Sequence, residues 1–246
     1  MPGVSVDRVA SVFVEVADTL VDEFDLLDFL HMLTHRAADL SGAAAVGLML
    51  ADQRGRLDYM AGSDENVRLV ELFQVQNQEG PCLDAFHTGR PVVNVDLSRA
   101  ADRWPQFAPR ARAAGFRSVH AFPLRLRDQI IGALNVFGAT AGSDFQGTDI
   151  AIMQSLADIA AIGLLQERAI RRAEVLTEQL QGALNSRIVI EQAKGAVSQI
   201  LGISVDEAFA VIRTYARSNN RRLTDVAYAV VTDPDSVPSI TRPGPA

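Results

Sequence analysis

Residue types that mark particular protein classes are scarce in this sequence of 246 residues, in which cysteine, lysine and tryptophan each occur once. The single cysteine, Cys82, excludes an internal disulfide bond and is typical of proteins in a reducing cytoplasm. The longest apolar run, residues 43–51, is too short to span a bilayer. The N-terminus lacks the basic segment and apolar core of a signal peptide. We therefore expect a cytoplasmic protein without a membrane segment.

Sequence motifs for catalysis are also missing. There is no Walker loop, no nucleophile elbow and no cysteine spacing typical of a zinc site. His31 and His35 are one helical turn apart, but the glutamate and third ligand of a zinc-protease motif are absent. We therefore expect no enzyme activity, no metal and no cofactor.

The stretch 186–231 predicts three short helices with distinct boundaries. Gly202 is expected to end the first helix, because glycine takes positive φ without steric cost. Ser204 and Glu207 have the spacing of a capping box that begins the second helix, and Thr224 is expected to cap the third. Apolar residues at three- and four-residue spacing predict one buried face per helix. They are Ile190, Ala193, Val197 and Ile200, then Ala208, Ile212, Tyr215 and Ala216, then Val226, Ala227, Val230 and Val231.

Basic residues lie off these apolar faces. They are Arg187, Lys194, Arg213, Arg217, Arg221 and Arg222. Residues 186–231 carry six basic and four acidic residues, a net charge of +2, whereas the whole chain carries −7. A basic cluster on an acidic protein is typical of a nucleic-acid-binding end. Charge on a helix face often serves solubility alone, which is the competing interpretation.

Specific motifs favour the nucleic-acid interpretation. IEQAKG runs from Ile190 to Gly195, a Ser-x-x-Glu-Ala-Phe motif runs from Ser204 to Phe209, and Val226–Ala227 follows in the third helix. In this order they resemble the ANTAR domain, the RNA-binding antitermination module of bacterial regulators. The resemblance implies a three-helix bundle that binds paired RNA hairpins in nascent transcripts and prevents a terminator from forming. The six basic residues are the candidates for RNA contact.

Residues 41–143 have the alternating pattern of strands and turns. Five strands are predicted, at residues 44–50, 56–61, 91–95, 118–126 and 129–137. Because strands adjacent in the sequence are joined by short turns, the pattern predicts an antiparallel sheet flanked by helices, an α+β domain. Two amphipathic helices are predicted within residues 1–40, which could dimerise or pack on this domain.

Three segments of this region carry recognisable motifs. They are EGPCLDAFHTGRPVVNVDL (79–97), RWPQFAP (103–109) and GFRSVHAFPLRLRDQIIGALNVF (115–137). Together they resemble a GAF domain of bacterial regulators, which implies a sensor or dimerisation module that binds an unknown small ligand or protein partner. The cyclic-nucleotide signature of such domains is incomplete, because Asn135, Phe145 and Asp149 occur without its lysine and final glutamate. Some GAF domains attach a bilin to cysteine, but a small apolar role is favoured for Cys82.

Residues 144–185 predict one long helix that continues without a breaker into the C-terminal bundle. An imperfect heptad of apolar residues runs along it, with Gln166 and Thr177 at stripe positions. We interpret it as a signalling helix that links the sensor to the bundle. The tail 232–246 contains four prolines and is predicted to be disordered.

These predictions support three hypotheses. In the first, a homodimeric antitermination regulator binds RNA through its ANTAR domain under the control of the GAF domain. In the second, the chain is a protein–protein signalling adaptor built on a GAF dimer, without RNA binding. Joint exposure of Lys194, Arg213 and Arg217 would favour the first, and pairing of all three with acidic side chains would favour the second. The third is a chromophore or redox sensor that uses Cys82.

Overall fold

The structure is a computed structural model that describes residues 5–19, 25–141 and 145–241. It contains two compact units, residues 1–168 and residues 169–246. The helices of the first unit are α1 (Val6–Thr19), α2 (Leu26–Ser41), α3 (Glu65–Asn77), α4 (Pro81–Thr88) and α5 (Phe107–Ala113). Its strands are β1 (Ala45–Ala51), β2 (Leu57–Gly62), β3 (Val92–Asp96), β4 (Ser118–Leu126) and β5 (Gln129–Gly138). The long helix α6 (Gly147–Leu201) begins in the first unit and ends in the second, where α7 (Val205–Ser218), α8 (Leu223–Thr232) and α9 (Pro238–Thr241) follow.

The described strands form one antiparallel sheet with the order β2-β1-β5-β4-β3. Each predicted strand is confirmed to within one residue at either end. The β4–β5 hairpin is the longest pairing, and its tight turn places Arg127 at a φ of +55°. The predicted α+β class is therefore confirmed.

Helices cover both faces of the sheet. One face packs against α1, α2 and the first part of α6, through side chains such as Leu33 and Leu156. The other face packs against α3, α4 and α5, and its large buried side chains include Trp104 and Phe107. The helices of residues 1–40 thus pack on the sheet, which is one of the two roles expected for them. The expected domain boundary between residues 143 and 144 lies outside the described residues.

α6 is a continuous helix of 55 residues, as the lack of a breaker predicted. A window of this helix is apolar and long enough to cross a membrane by composition alone, but 44% of that window is buried inside the protein. Met153, Leu156 and Leu164 of this helix are fully or almost fully buried in the first unit. An apolar stripe of this kind is expected of a helix that packs in a protein core.

The C-terminal unit has its own apolar core, formed by the end of α6 together with α7, α8 and α9. Gly202 ends α6 at a φ of +67°, as predicted. The predicted capping box is present, because Glu207 N–H donates to Ser204 Oγ (3.3 Å) while Ser204 N–H donates to the Glu207 carboxylate (2.9 Å). Most of the apolar residues predicted to face inward are buried or partly buried. Ile200 and Val231 are exceptions and are exposed.

The predicted start of the third helix is wrong. α8 begins at Leu223, with Arg222 at the N-cap position and no side-chain cap, so Thr224 lies inside the helix. Leu223 packs partly buried against the core, and this tertiary contact places the helix start two residues earlier than a Thr224 cap would allow. Burial of an apolar side chain therefore outweighs the capping preference of threonine here.

The prediction of a disordered tail is wrong for residues 232–241, of which Thr232 ends α8 and Asp233 is its C-cap. Pro234–Ser236 form a 3₁₀ turn and α9 follows, with Val237 and Ile240 buried in the core of the bundle. Pro234 and Pro238 stand at the first position of their helical turns, where a missing N–H costs nothing. Prolines that suggested disorder thus begin ordered turns. Residues 242–246 of the tail lie outside the described residues.

Candidate nucleic-acid interface

The arginines of α7 project from the bundle. Arg213 and Arg217 are both exposed, and their four-residue spacing places them on one face of the helix. The opposite face carries Ala208, Ile212 and Ala216, which are buried in the bundle core. Within the described residues neither guanidinium group forms a hydrogen bond or an ion pair. Both side chains can therefore reach a phosphate without first breaking an internal contact.

Lys194 is in a different environment. Its side chain is only 16% exposed, and its ammonium group donates to both carboxylate oxygens of Glu191, at 3.0 and 2.9 Å. The same Nζ lies 5.7 Å from the centre of the Phe209 ring, within the range of a cation–π contact. Lys194 thus makes an ion pair within α6 and a contact with α7.

Phe209 connects this lysine to the arginines of α7. It precedes Arg213 by four residues and Arg217 by eight, so the three side chains follow one row along the helix. Arg187 precedes Lys194 by seven residues, which is about two helical turns on α6. We call Arg187, Lys194, Arg213 and Arg217 the basic face. Of the three residues chosen to discriminate the hypotheses, two are exposed and unpaired in the described structure, and one is paired.

Arg221 and Arg222 lie in the connection between α7 and α8. Both are exposed and have no side-chain partner among the described residues. Asn220 adopts a φ of +50°, and Arg221 N–H donates to Ala216 O at 2.9 Å. This hydrogen bond fixes the backbone of the connection to the end of α7. The structure therefore presents these two cations at the start of α8.

An exposed aromatic side chain was missed at the sequence level. Tyr228 on α8 is 61% exposed, whereas Tyr215, which lies on the predicted apolar face of α7, is partly buried against the core. Tyr215 also lines a shallow, mostly apolar groove of about 410 Å³ between α7 and the Ser239–Ile240 segment. The signal for Tyr228 was present, because it lies off the stripe formed by Val226, Ala227 and Val230.

The sensor unit contains a buried acid that sequence reasoning also missed. Glu71 on α3 is fully buried. Asn135 Nδ2 donates to both of its oxygens at 2.9 Å, and Gln74 Nε2 donates to Oε2 at 2.6 Å. Burial raises the pKa of Glu71 to about 8, although the hydrogen bonds from the Asn135 and Gln74 amides act in the opposite direction. No sequence spacing links residues 71 and 135, so only the fold reveals this contact.

Cys82 lies beside this acid at the start of α4. It is fully buried, and burial together with the Glu71 charge raises the pKa of its thiol well above the usual value. Reactive cysteines are partly exposed and have lowered pKa values. This environment supports the small apolar role and gives no support to a chromophore or redox site at Cys82.

The histidines do not combine into a metal site. His31 and His35 line a surface cleft of about 600 Å³ with Tyr59 and Arg68, and His35 Nδ1 lies 2.8 Å from His31 O. His120 is buried, where its Nδ1 accepts a hydrogen bond from Asn94 N–H at 3.0 Å. In the part of the chain that the structure describes, no three His, Cys, Asp or Glu side chains are grouped to hold a metal ion.

Comparisons with solved structures establish the fold of the first unit. The chain is similar to the GAF domain of a phosphoenolpyruvate-protein phosphotransferase from Acinetobacter, with 18% identity, a TM-score of 0.52, and coverage of 69% of this chain and 98% of that one. The corresponding domain from Coxiella burnetii gives 16% identity, a TM-score of 0.54, and coverage of 69% and 99%. Free methionine-R-sulfoxide reductase from Neisseria meningitidis gives 21% identity and a TM-score of 0.53, with coverage of 68% of this chain and 96% of that one. At these identities the similarity shows the fold alone.

Family models cover most of the chain. The GAF domain model matches residues 25–165, and the ANTAR domain model matches residues 178–231. The GAF match is wider than the expected 41–143, and it includes α2 and the first part of α6, which pack on the sheet. No curated protein matches the sequence. The chain therefore belongs to the GAF domain family and carries an ANTAR domain at its C-terminal end.

Proposed function

We propose that this protein is an RNA-binding transcription antitermination regulator whose GAF domain controls its ANTAR domain. The observation that carries the proposal is the basic face of an ANTAR domain, on which Arg213 and Arg217 are exposed and unpaired among the described residues. The physical role of these arginines is to neutralise RNA phosphates and so release counterions. Their planar guanidinium groups also suit bidentate phosphate contacts.

Unpaired loop bases are the part of an RNA hairpin that proteins usually read. Such bases stack on aromatic side chains or on guanidinium planes. Tyr228 is the most exposed aromatic residue described in the C-terminal unit, and Arg221 and Arg222 lie at the start of the same helix. We propose that the basic face binds the hairpin backbone and that these three residues contact the loop.

A homodimer forms part of this proposal. Large apolar side chains on α6 between residues 170 and 188 are 47–62% exposed. They are Ile170, Val175, Leu176, Leu180, Leu184 and Ile188. Monomeric proteins rarely expose a contiguous apolar patch of this length, and a second copy of the helix would cover it. Two ANTAR domains would then be available for a pair of hairpins.

The input of the regulator is proposed to act on the GAF domain. A small ligand or a protein partner that binds one conformation of the domain better than another would shift the population between RNA-binding and inactive states. We further propose a cytoplasmic location and a role without catalysis. The single cysteine supports the location, and the lack of catalytic motifs in the sequence supports the regulatory role.

RNA titration tests the proposal. The full chain is titrated into RNA with two short hairpins, at low and at high salt, beside the Arg213→Gln/Arg217→Gln variant. Loss of two phosphate contacts should weaken binding and lower the salt slope by roughly 0.7–0.9 per contact. Arg54→Gln/Arg90→Gln removes the same charge from exposed positions of the sensor unit and should bind as the wild type does.

The adaptor hypothesis is the second candidate. The ion pair between Lys194 and Glu191 favours it, because a paired lysine is less available to RNA. If the dimeric wild type and both arginine variants bind the hairpin RNA with the same weak, sequence-independent affinity, the adaptor hypothesis replaces the RNA-binding one.

A further inference from the structure

The sensor core contains a polar network where apolar packing is the norm. Glu71, Gln74 and Asn135 are all fully buried between α3 and the sheet. Within the described residues Glu71 has no ion-pair partner, and its hydrogen-bond donors are the amide groups of Asn135 and Gln74. A buried carboxylate without a cation is strongly unfavourable. Glu71 must therefore either stay protonated or, when ionised, weaken the packing around it.

The surrounding backbone is shaped to hold these side chains. Gly47 on β1 faces Glu71, and a Cβ at this position would overlap the Glu71 carboxyl group. Gly80 precedes α4 at a φ of +142°, and a Cβ there would overlap the Gln74 amide. Two glycines thus provide the space for two polar side chains. The network is therefore a built site rather than a chance burial.

The network joins three elements of the sensor unit. Asn135 belongs to β5 at the centre of the sheet, Glu71 and Gln74 belong to α3, and Gln74 Oε1 accepts a hydrogen bond from Cys82 N–H at 3.2 Å. Cys82 is in the first turn of α4, where backbone N–H groups have no helical partner. Gln74 therefore connects the first turn of α4 to the Glu71 carboxyl group.

The groups that face Glu71 do not compensate a negative charge. Tyr59 approaches from β2 and Cys82 from α4. Burial raises the pKa of each, and the Glu71 charge raises it further. Arg68, on the exposed side of α3, lowers the pKa of Tyr59. Both near neighbours thus resist becoming anions themselves, and neither supplies a cation.

We propose that Glu71 is a protonation-dependent switch of the sensor: the neutral acid holds α3 and the start of α4 against β5, and loss of the proton loosens them. The proposal concerns the sensor unit and does not require RNA binding. Any effect on RNA rests on the proposed function. Burial places the pKa of Glu71 at about 8, so the proton is exchanged close to neutral pH.

Asn135 offers a partner for the proton. In the described structure its Oδ1 is buried without a hydrogen bond while its Nδ2 contacts both Glu71 oxygens. A neutral carboxyl group carries one O–H donor. A half-turn of the Asn135 amide would let Oδ1 accept that proton, which would satisfy the unpaired atom and retain the contact between β5 and α3.

Infrared spectroscopy of the full chain tests the switch directly. A neutral carboxyl group absorbs apart from carboxylates, and exposed acids are already ionised well below neutral pH. The wild type should show a neutral carboxyl band that disappears with a midpoint near 8. Glu71→Gln should lack the band, and Glu65→Gln, an exposed acid on the same helix, should retain it. Absence of the band from the wild type near neutral pH would overturn the proposal.

Asn135→Ala and hydrogen exchange complete the test. Asn135→Ala removes both the N–H donor to the ionised carboxylate and the Oδ1 acceptor for the neutral proton. Because hydrogen bonds to a charged group are the stronger ones, the loss of the donor outweighs the loss of the acceptor, and the infrared midpoint should move to higher pH in this variant. Hydrogen-exchange rates are first corrected for the intrinsic pH dependence of exchange. Above the midpoint, the Cys82 amide of the wild type should then exchange at least about tenfold faster than the same amide in Glu71→Gln. Parallel exchange profiles would contradict the coupling to α4. If Glu71→Gln does not fold, the wild-type midpoint and its shift in Asn135→Ala still test whether Glu71 titrates near neutral pH. None of these readouts uses RNA, so they are independent of the proposed function.

Discussion

The ammonium group of Lys194 lies 2.9 Å from the nearer oxygen of Glu191, three residues earlier on the same helix. The pair belongs to the IEQAKG segment, and it leaves the only lysine of the sequence bound to an acid. An RNA phosphate would have to compete with this carboxylate. Surface pairs of this kind contribute only about 0.2–1 kcal/mol to stability, so an RNA phosphate can displace the Glu191 carboxylate from Lys194.

The first prediction concerns this pair. Glu191→Gln should raise RNA affinity by up to about fivefold, because it frees Lys194 and removes a negative charge near the basic face. The measurement is the RNA titration at low salt. Glu178→Gln, an exposed acid between three and four helical turns before Glu191 on α6, provides the control and should have a smaller effect. Weaker binding by Glu191→Gln would mean that the acid orients Lys194 for RNA.

The second prediction concerns the segment after α8. Ile240→Ala should lower the free energy of unfolding of the C-terminal unit by about 2–3 kcal/mol, because a buried apolar side chain is truncated. Hydrogen exchange of α7 amides in the full chain measures this change without assuming one transition for both units. Ser239→Ala, an exposed neighbour, is the control. Equal exchange in the two variants would show that α9 is not bound to the bundle.

The third prediction is a pH dependence of stability. Glu71 has a pKa of about 8 when folded, compared with 4.5 as the ordinary value, so between these pH values the folded state holds a proton that the unfolded state has lost. The free energy of unfolding should therefore fall as pH rises through this window, by at most about 1.4 kcal/mol per pH unit from this group. Chemical denaturation of the sensor unit across the window measures the slope. Glu71→Gln should have a shallower slope, and an unchanged slope would place the titration elsewhere.

The fourth prediction compares two glycine substitutions. Gly47→Ala should destabilise the sensor unit, because its Cβ would overlap the Glu71 carboxyl group. Gly182→Ala meets no atom within 4 Å on the exposed part of α6, and it should stabilise that helix by about 0.5–1 kcal/mol. Thermal unfolding of both variants measures whether each substitution lowers or raises stability. A neutral Gly47→Ala would mean that Glu71 can leave the network without cost.

The fifth prediction concerns oligomerisation. Leu180→Glu/Leu184→Glu should convert the proposed dimer into monomers, because carboxylates would replace the apolar side chains at the centre of the exposed stripe on α6. Analytical ultracentrifugation over a range of protein concentrations measures the change. Gln179→Glu/Gln181→Glu adds the same charge at neighbouring exposed positions and should reduce dimerisation less. A wild type that remains monomeric at high concentration would contradict the proposed dimer.

Local signals in the sequence predicted much of the fold. Gly202 and the Ser204–Glu207 box bound the helices of the ANTAR domain as expected. These features need only a few neighbouring residues, so a linear pattern contains them. The strands were found for the same reason, since alternation and tight turns are local properties.

Features that depend on distant contacts were missed. Glu71 meets Asn135, 64 residues away, only because α3 packs on β5. α8 begins at Leu223 instead of after Thr224, and Val237 and Ile240 fold back onto the bundle, because apolar burial outweighs local preference. In the candidate interface, spacing predicted the exposed arginines of α7, but it could not show that Glu191 pairs with Lys194 or that Tyr228 is exposed.

The single lysine has a practical consequence for chemical probing. An amine-directed acylating reagent has only Lys194 and the chain's terminal amine as primary-amine targets, since Lys194 is the only lysine of the sequence. Mass spectrometry of the modified peptide would thus report on one position, without engineered labels. Because Glu191, Phe209 and a bound phosphate would each shield this amine to a different extent, its acylation rate becomes a native reporter of occupancy at the basic face.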